Sequence, residues 1–291
     1  MLFGSPQYAD NNVLLNRKFA QNRVLICVHR GSSHGNIIQN TTLAYKAAIM
    51  QGADIVETDT TVSKDGVVFS FHDGIEEHLL KCDRNATKMT SAQIQAIAPV
   101  NAIGEPSDYH IQKLSDILDF LRHDELINID RTWRADGMVL PLLDQYPHMA
   151  RQAILKAPFR HRPVIDELNA HPVKYMFMPI CYTMKDVEEI LRYDALNLVG
   201  IELIARTPDD ELFSDEAIKY IHSKNLFCWA NAITLFAKEM KPDLFGGLDD
   251  DLSIREGPEF GWGKLIDKGI DVIQTDWPSI LRDYRMNRFG V

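Results

Sequence analysis

The sequence contains few cysteines and no long apolar run. Its four cysteines, Cys27, Cys82, Cys181 and Cys228, lack C-x-x-C spacing, so neither a zinc cluster nor a disulfide framework is predicted. No stretch approaches the ~18 consecutive apolar residues of a transmembrane helix, and the first twenty residues lack the regions of a signal peptide. We therefore expect no integral membrane segment. Because a signal peptide could have been removed before residue 1, the sequence fits a soluble protein in either a cytoplasmic or an extracytoplasmic compartment.

The chain also has no excess of basic over acidic residues. The chain has 31 Lys and Arg against 41 Asp and Glu, a formal net charge of −10, which argues against a general electrostatic grip on nucleic acid or an anionic membrane. A compact anionic ligand therefore needs a local binding site. With 291 residues, 45% of them hydrophobic, the chain is long enough to bury a large core. Nothing in the sequence sets its oligomeric state.

Short apolar, β-branched runs recur along the chain and alternate with helical patterns. The predicted strands are Val24–Val28, Asp54–Thr58, Val67–Phe71, Leu126–Ile129, Ala153–Leu155, Tyr175–Pro179, Val199–Leu203, Leu226–Ala230 and Asp271–Thr275. The predicted helices are Asn40–Met50 with a cap at Thr41 or Thr42, Lys113–Leu121, Lys185–Tyr193, Asp215–Ser223 and Trp262–Lys268, with a weaker signal at Ser91–Ile97. Such alternation is typical of a parallel sheet covered on both faces.

One connection, between the second and third strands, is too short for a parallel crossover, which needs about a dozen residues. The dipeptide Asp65-Gly66 in this gap predicts a hairpin turn. A two-residue turn pairs Lys64 with Val67, and counting back along both strands then sets His72 opposite Asp59. Because directly opposed residues share a face, we expect these two side chains to lie together.

Without that return strand, eight strand candidates remain, the number in a TIM (β/α)8 barrel. We therefore predict one barrel domain over residues 1–291, with an inserted β-hairpin and a loop elaboration after strand 2, at about residues 74–112. A second long loop is predicted at Asp243–Glu259. Its acidic run, Asp249 to Asp251, does not match an EF-hand and is interpreted as a solvated turn.

Charged residues gather where two of these strands end. His29 and Arg30 follow the first apolar strand, and Glu57 and Asp59 stand two apart on the second, so both carboxylates project to one face. In a parallel barrel the C-terminal strand ends are where catalytic groups gather. Two carboxylates buried side by side resist ionisation unless a cation pairs with them. The pattern therefore predicts a charged site at this end of the barrel.

The order of these residues resembles the signature of the glycerophosphodiester phosphodiesterase family, which runs H-R-G, E-N-T, G-A-D-x-x-E-x-D, K-D-G and H-D. The corresponding residues are His29-Arg30-Gly31, Gln39-Asn40-Thr41, Gly52-Ala53-Asp54 with Glu57 and Asp59, Lys64-Asp65-Gly66, and His72-Asp73. A thinner likeness continues at Leu126–Asp130, Leu226–Asn231 and Gly269–Pro278. The likeness touches most of the chain.

The resemblance implies hydrolysis of a small glycerophosphodiester to glycerol 3-phosphate and an alcohol. It makes His29 and His72 the general acid and base. It makes three carboxylates, those of Glu57, Asp59 and Asp130, the ligands of one divalent cation. An all-oxygen ligand set suits Mg²⁺ or Ca²⁺.

Other strand-end residues are candidates for contacts with the substrate. Arg30 is expected to hold the phosphate bidentately, with a rim ion pair to Glu57 or Asp59 as the alternative. Glu202 ends a strand and is expected to contact a substrate hydroxyl or to support a neighbouring residue. Trp229 is expected to stack on the substrate or to lie in the core.

Three positions depart from the family pattern. Gln39 stands where the family has Glu, Asp130 replaces Glu as the third carboxylate, and Thr132 stands where a Lys is usual. Lys156, at the end of the next strand, is the candidate for the missing cation. Two alternatives follow from these departures and from the fold: a phosphodiesterase that acts on phospholipids or lysophospholipids, and a weakly active barrel that binds phosphodiesters.

Overall fold

Eight parallel strands close into a barrel in the computed structural model, which describes residues 2–135, 137–233 and 245–291. The strands are β1 (Leu25–Val28), β2 (Ile55–Val62), β3 (Val68–Ser70), β4 (Leu126–Asp130), β5 (Ala153–Pro158), β6 (Met176–Cys181), β7 (Asn197–Leu198), β8 (Gly200–Leu203), β9 (Phe227–Asn231) and β10 (Val272–Thr275). The barrel closes because β1 pairs in parallel with both β2 and β10. The short strands β7 and β8 both pair with β6 and share one position in the barrel.

Helices surround the barrel and connect its strands. They are α1 (Val13–Asn22), α2 (Thr42–Met50), α3 (Glu76–Leu79), α4 (Ser91–Gln95), α5 (Leu114–Phe120), α6 (Val139–Leu143), α7 (Met149–Gln152), α8 (Arg162–Ala170), α9 (Met184–Ile190), α10 (Asp215–Ser223), α11 (Asp250–Arg255), α12 (Trp262–Lys268) and α13 (Pro278–Phe289). Thr41 caps α2 as predicted, since its Oγ1 accepts a hydrogen bond from Ala44 N. Among the described helices, none is both long and apolar enough to cross a bilayer.

Two apolar layers hold the barrel together. Alternate strand residues face outward and pack under the helices; Val56 and Ile127 belong to this outer layer. The residues between them, such as Ile55 and Leu126, face inward and fill the amino-terminal end of the barrel. The inner layer leaves the carboxyl-terminal end as the open, polar end.

The helix α13 is joined to the first strands of the barrel by polar contacts of Arg285. The guanidinium of Arg285, 5% exposed, donates to the Val24 carbonyl and forms an ion pair with Asp54. The Asp54 carboxylate also accepts a hydrogen bond from Ile26 N, at 2.9 Å. These contacts join α13 to the starts of β1 and β2.

The hairpin after β2 is present, but its predicted register is wrong by one residue. Thr60 pairs with Ser70 and Val62 with Val68, so the turn holds three residues rather than two, with Gly66 at φ 83°. The prediction assumed a two-residue turn at Asp65-Gly66, whereas the strand hydrogen bonds already end between Ser63 and Val67. His72 therefore lies beyond the end of β3 and is not paired with Asp59.

The segment after β3 folds over the carboxyl-terminal side of β3. Its apolar core includes Leu79 and Ile94, which cluster with Phe69, with Phe71 and with Ile38 from the loop after β1. The short helices α3 and α4 lie in this segment, which corresponds to the elaboration predicted at residues 74–112.

The predicted acidic loop at residues 243–259 is only partly as expected. Residues 243 and 244 lie outside the described residues, and the rest contains α11. Asp250 is 3% exposed, so the prediction of a solvated turn is wrong for this residue. Its carboxylate accepts hydrogen bonds from buried donors, which explains why it lies inside the protein.

Candidate active site

A cavity of about 220 Å³ opens at the carboxyl-terminal end of the barrel. Seven residues predicted for the site line it, and they come from six neighbouring parts of the chain: His29, Arg30, Asp59, His72, Asp130, Lys156 and Glu202. A larger cavity, about 670 Å³, lies at the opposite end of the barrel beside α1 and α7. The charged groups that can do chemistry converge on the smaller cavity, which we therefore take as the candidate active site.

Three carboxylates form a cluster beside this cavity, and two of them, Asp59 and Asp130, line it. Oxygen atoms of Glu57, Asp59 and Asp130 lie within 4.8 Å of one another. The parallel register places Glu57 beside Asn128 and Asp59 beside Asp130, so the cluster follows directly from the pairing of β2 with β4. Burial, together with repulsion from Asp59 and Asp130, raises the pKa of Glu57 well above its ordinary value.

The ammonium group of Lys156 lies among carboxylates rather than in solvent. Its Nζ is 2.9 Å from Asp130 Oδ2 and 3.1 Å from Glu202 Oε2, and its side chain is 2% exposed. Burial acts to lower the pKa of Lys156, but attraction to Asp130, Glu202 and Glu57 outweighs it, and the pKa lies well above its ordinary value. Lys156 therefore supplies a permanent positive charge to the wall of the site.

Arg30 joins the carboxylate cluster to the loop after β1. Its Nε lies 2.8 Å from Asp59 Oδ2, and its Nη1 donates to Gln39 Oε1 at 3.1 Å. Its backbone N–H donates to Glu57 Oε2 at 2.9 Å. Burial acts to raise the pKa of Asp59, but Arg30, the two histidines and an Asn40 hydrogen bond outweigh it and lower the pKa.

Three non-glycine residues at this site have a left-handed backbone: Arg30 at φ 55°, Asn40 at φ 58° and Arg131 at φ 59°. Each such residue costs about 1–3 kcal/mol, so the surrounding structure must hold them. Gly31 also has positive φ, and a Cβ there would lie 2.7 Å from the Ala44 carbonyl carbon. The H-R-G sequence therefore needs glycine at its third position.

His29 has a carboxylate partner that sequence analysis did not identify. Its Nδ1 lies 3.2 Å from Asp276 Oδ1, directly after β10. The backbone N–H of Asp276 donates to Asp250 Oδ2 at 2.9 Å. Asp250 also accepts from Trp262 Nε1 and Thr275 Oγ1, both at 2.8 Å, and burial raises its pKa to about 7. Asp250 thus fixes the turn that carries the partner of His29.

His72 faces a cation instead. Its Nε2 lies 3.2 Å from Arg131 Nη1, and because arginine only donates, this nitrogen accepts. Burial lowers the pKa of His72, and the Arg30 and Arg131 charges contribute to that shift. Asp73 holds Arg131 through an ion pair and also binds Arg134, with Asp73 Oδ2 at 2.8 Å from Arg134 Nη2.

Of the two positions expected for Trp229, the structure shows the one in the core, and the predicted substrate contact is wrong. Its ring is 0% exposed and lies in the inner apolar layer below the cavity, with its Nε1 donating to Asn231 Oδ1. A ring enclosed on all sides cannot stack on a ligand, so Trp229 is a core residue. Glu202 lines the cavity, and its carboxylate is engaged by Lys156 and by Asn231 Nδ2 at 2.8 Å.

Two functional groups could have been recognised from the sequence by their positions. Arg131 directly follows the strand-end residue Asp130, and Asp276 directly follows β10 in the sequence Thr275-Asp276-Trp277-Pro278. Both stand at the carboxyl ends of barrel strands, where site residues are expected. No local signal identifies Asp250, because its role depends on the packing of α11 against β10.

Comparison with known proteins finds a family model that matches part of this chain. A model of the "Glycerophosphoryl diester phosphodiesterase family" matches residues 29–155, and a model described as a domain of unknown function matches residues 177–285. The chain is 27% identical over 162 residues to a glycerophosphodiester phosphodiesterase of Caldanaerobacter subterraneus. That alignment covers 52% of this chain and 61% of the relative.

Solved structures share the fold over nearly the whole chain. A glycerophosphoryl diester phosphodiesterase from Parabacteroides distasonis superimposes with a TM-score of 0.72 at 16% identity, covering 99% of this chain and 93% of that one. An Oleispira antarctica phosphodiesterase, solved in complex with the product sn-glycerol-3-phosphate, superimposes with a TM-score of 0.65 at 15% identity, covering 92% and 99%. These likenesses confirm the predicted TIM barrel.

Proposed function

Since the chain belongs to the glycerophosphoryl diester phosphodiesterase family, we propose that it hydrolyses glycerophosphodiesters to glycerol 3-phosphate and an alcohol. One observation carries the proposal: a single cavity is lined by two histidines, the cations Arg30 and Lys156, and two carboxylates, those of Asp59 and Asp130, that cluster with the buried Glu57. These groups can bind an anionic phosphate and a hard divalent cation, and the histidines can carry out two proton transfers. Together these functions suit the hydrolysis of a phosphodiester.

The carboxylate cluster fits one divalent cation, Mg²⁺ or Ca²⁺. Arg30 pairs with Asp59 and Lys156 pairs with Asp130, but Glu57 has no side-chain ion pair in the part of the chain that the structure describes. Its raised pKa is what a buried carboxylate shows when its countercharge is missing. Glu57, Asp59 and Asp130 would hold the cation, which supplies charge stabilisation to the phosphoryl oxygens when bound.

The substrate phosphate is held by arginine and lysine. Arg30 uses Nε and Nη1 for Asp59 and Gln39, and its remaining N–H groups supply a phosphate contact. Lys156 supplies the positive charge that the neutral Thr132 cannot. The two residues are neighbours, since Thr132 Oγ1 donates a hydrogen bond to the Lys156 carbonyl. We assign Arg131, poised beside His72, as a third phosphate contact.

The two histidines divide the proton transfers. Asp276 keeps a proton on His29 Nδ1, which turns the Nε2 lone pair toward the cavity and favours His29 as the base. His72 acts as the acid once Arg131 turns from its Nε2 to the bound phosphate, because that nitrogen can then take up a proton and give it to the leaving alkoxide. The bound phosphate also counteracts the Arg30 and Arg131 charges, which together with burial lower the pKa of His72. Water and the neighbouring glycerol hydroxyl are both suitable attackers.

The test is release of glycerol 3-phosphate from a panel of glycerophosphodiesters, with and without a chelator. We expect turnover that the chelator abolishes, that Mg²⁺ or Ca²⁺ restores, and that His72→Ala loses. His110→Ala is the matched control, because His110 is exposed outside the cavity. Turnover that survives in His72→Ala would refute the acid–base assignment. Metal binding without any turnover would instead support the binding-protein alternative, and turnover of lysophospholipids alone would support the lipid alternative.

A further inference from the structure

A second cavity, about 400 Å³ in volume, adjoins the candidate active site. It lies between the loop after β1 and the segment after β3, and its wall includes Gln39, His78, Lys81 and Ala102. Gln39 connects the two cavities, because its side chain lines the second one and accepts a hydrogen bond from Arg30, which lines the first. A group bound in this second cavity therefore lies next to the residue expected to hold the phosphate.

The walls of this cavity are fixed by hydrogen bonds between its two sides. Ala102 N donates to the Gly35 carbonyl at 3.0 Å, and Asn101 Nδ2 donates to Asn36 Oδ1 at 2.9 Å. On the far side, Val100 N donates to the Leu79 carbonyl at 2.8 Å. The cavity is thus formed before any ligand arrives, which lowers the entropic cost of binding.

The titratable side chains in the wall of this cavity are all basic. Its titratable wall residues are Lys81 and His78, and no carboxylate is among the described residues that line it. Gln39 stands where the family pattern has Glu, so the wall shared with Arg30 has lost a negative charge. A cationic ligand would meet Lys81 in the wall, with Arg30 behind Gln39 and no carboxylate in the wall to compensate, whereas hydroxyls and acidic groups would meet donors.

We propose that this cavity, which we name the head-group pocket, binds the alcohol portion of the substrate and selects polyol or acidic alcohols over ammonium alcohols. The inference rests on the proposed function. A phosphodiester has two arms: with the phosphate at Arg30, the glycerol arm lies in the barrel mouth and the other arm crosses the Arg30–Gln39 pair into the head-group pocket. The pocket thereby determines which alcohol is released.

The test compares kcat/KM for glycerophosphoinositol, glycerophosphoglycerol, glycerophosphocholine and glycerophosphoethanolamine. We expect the native chain to prefer the first two, and Lys81→Gln to reduce the inositol-to-choline ratio by about three- to tenfold. Lys88→Gln is the matched control, because Lys88 is an exposed lysine of the same segment that does not line the pocket. The control should keep the native ratio.

A second variant tests the volume of the pocket rather than its charge. Ala102 is exposed on the wall, so Ala102→Trp should fill the pocket without disturbing the core and should raise KM for glycerophosphoinositol by tenfold or more. Native turnover of the methyl ester of glycerol 3-phosphate distinguishes failure of the head-group pocket from failure of the proposed function. If the methyl ester is cleaved but the ratios are equal in native, Lys81→Gln and Ala102→Trp, the head-group pocket is refuted alone. If no diester is cleaved, both the proposed function and the head-group pocket are refuted.

Discussion

Asp276 Oδ1 lies 3.2 Å from Nδ1 of His29, so the residue after the last barrel strand supports a histidine that follows the first. The pair is possible because β10 is the direct neighbour of β1 in the closed barrel. A carboxylate in this position fixes the tautomer of the imidazole and stabilises its protonated form. Asp276, at the end of β10, thus positions the imidazole of His29, at the end of β1.

Replacing Asp276 should impair turnover while leaving the fold intact. Asp276→Asn keeps the size of the side chain but removes the charge that stabilises protonated His29, and we expect kcat to fall about 10- to 100-fold with little change in KM. Steady-state kinetics at several pH values check this result. Asp283→Asn, an exposed carboxylate on α13, is the matched control. An unchanged kcat and pH profile would show that His29 needs no carboxylate partner.

Removing the buried cation of the site should cost both stability and activity. Lys156→Met leaves Asp130 and Glu202 without the ammonium group that lies 2.9 and 3.1 Å away, and we expect a loss of about 3–5 kcal/mol in the free energy of unfolding. Urea unfolding measures this loss. Adding Glu202→Gln should recover part of the stability but none of the turnover. If the double variant regains turnover, Lys156 has no role toward the phosphate.

Glu57→Gln should change the thermal stability differently in the absence and in the presence of a divalent cation. In the absence of metal, the substitution removes repulsion from Asp59 and Asp130, so the melting temperature should stay the same or rise. With Mg²⁺ or Ca²⁺, the native chain should gain about 2.7 kcal/mol at 100 times the dissociation constant, and the variant should gain much less. Thermal unfolding with and without the cation distinguishes the two states. Equal gains in both chains would place the cation elsewhere.

His222 should make stability depend on pH at a distance from the active site. Its Nε2 lies 2.8 Å from Asp271 Oδ2, and this hydrogen bond raises the pKa of His222 in the folded state. The folded chain therefore holds the proton more tightly, and the stabilisation is fully present below the unfolded pKa of about 6.5. It is lost as the pH rises through the folded pKa.

The comparison of native chain and His222→Gln isolates this effect. The difference between their free energies of unfolding should be larger at pH 5.5 than at pH 8.5, values chosen on either side of about 6.5. Turnover should be alike in both chains, because His222 is on α10 and Asp271 precedes β10, away from the cavity. A difference that does not change with pH would mean that the pair is not ionic.

Hydrophobic periodicity was sufficient to predict the barrel strands and several helices, because buried parallel strands are nearly continuous apolar runs. It did not predict α1, α8 or α13, whose apolar stripes are interrupted by charged residues such as Arg17 and Arg285. The hairpin register failed for a different reason. Turn length depends on the backbone angles of residues such as Gly66, and the dipeptide Asp65-Gly66 is compatible with both two-residue and three-residue turns.

The site residues were predictable where they stand at strand ends, as with His29, Glu57 and Asp130, because parallel pairing brings such positions to one edge. The buried partners were not. Asp250 owes its environment to packing between elements far apart in the sequence, and no local pattern distinguishes a buried Asp in an acidic run from a solvated one. For Trp229 the sequence left both a substrate contact and a core position open, and the structure shows the core position.

The closure of β1 against β10 also determines when the protein can first act during its synthesis. His29 emerges early and Asp276 late, and α13, which carries Arg285, follows. A nascent chain that has not reached residue 276 has an open sheet and an unsupported His29, so it cannot yet hold the complete set of charged groups. We therefore expect a chain that ends before residue 276 to lack turnover, because β10 completes the barrel and Asp276 supports His29.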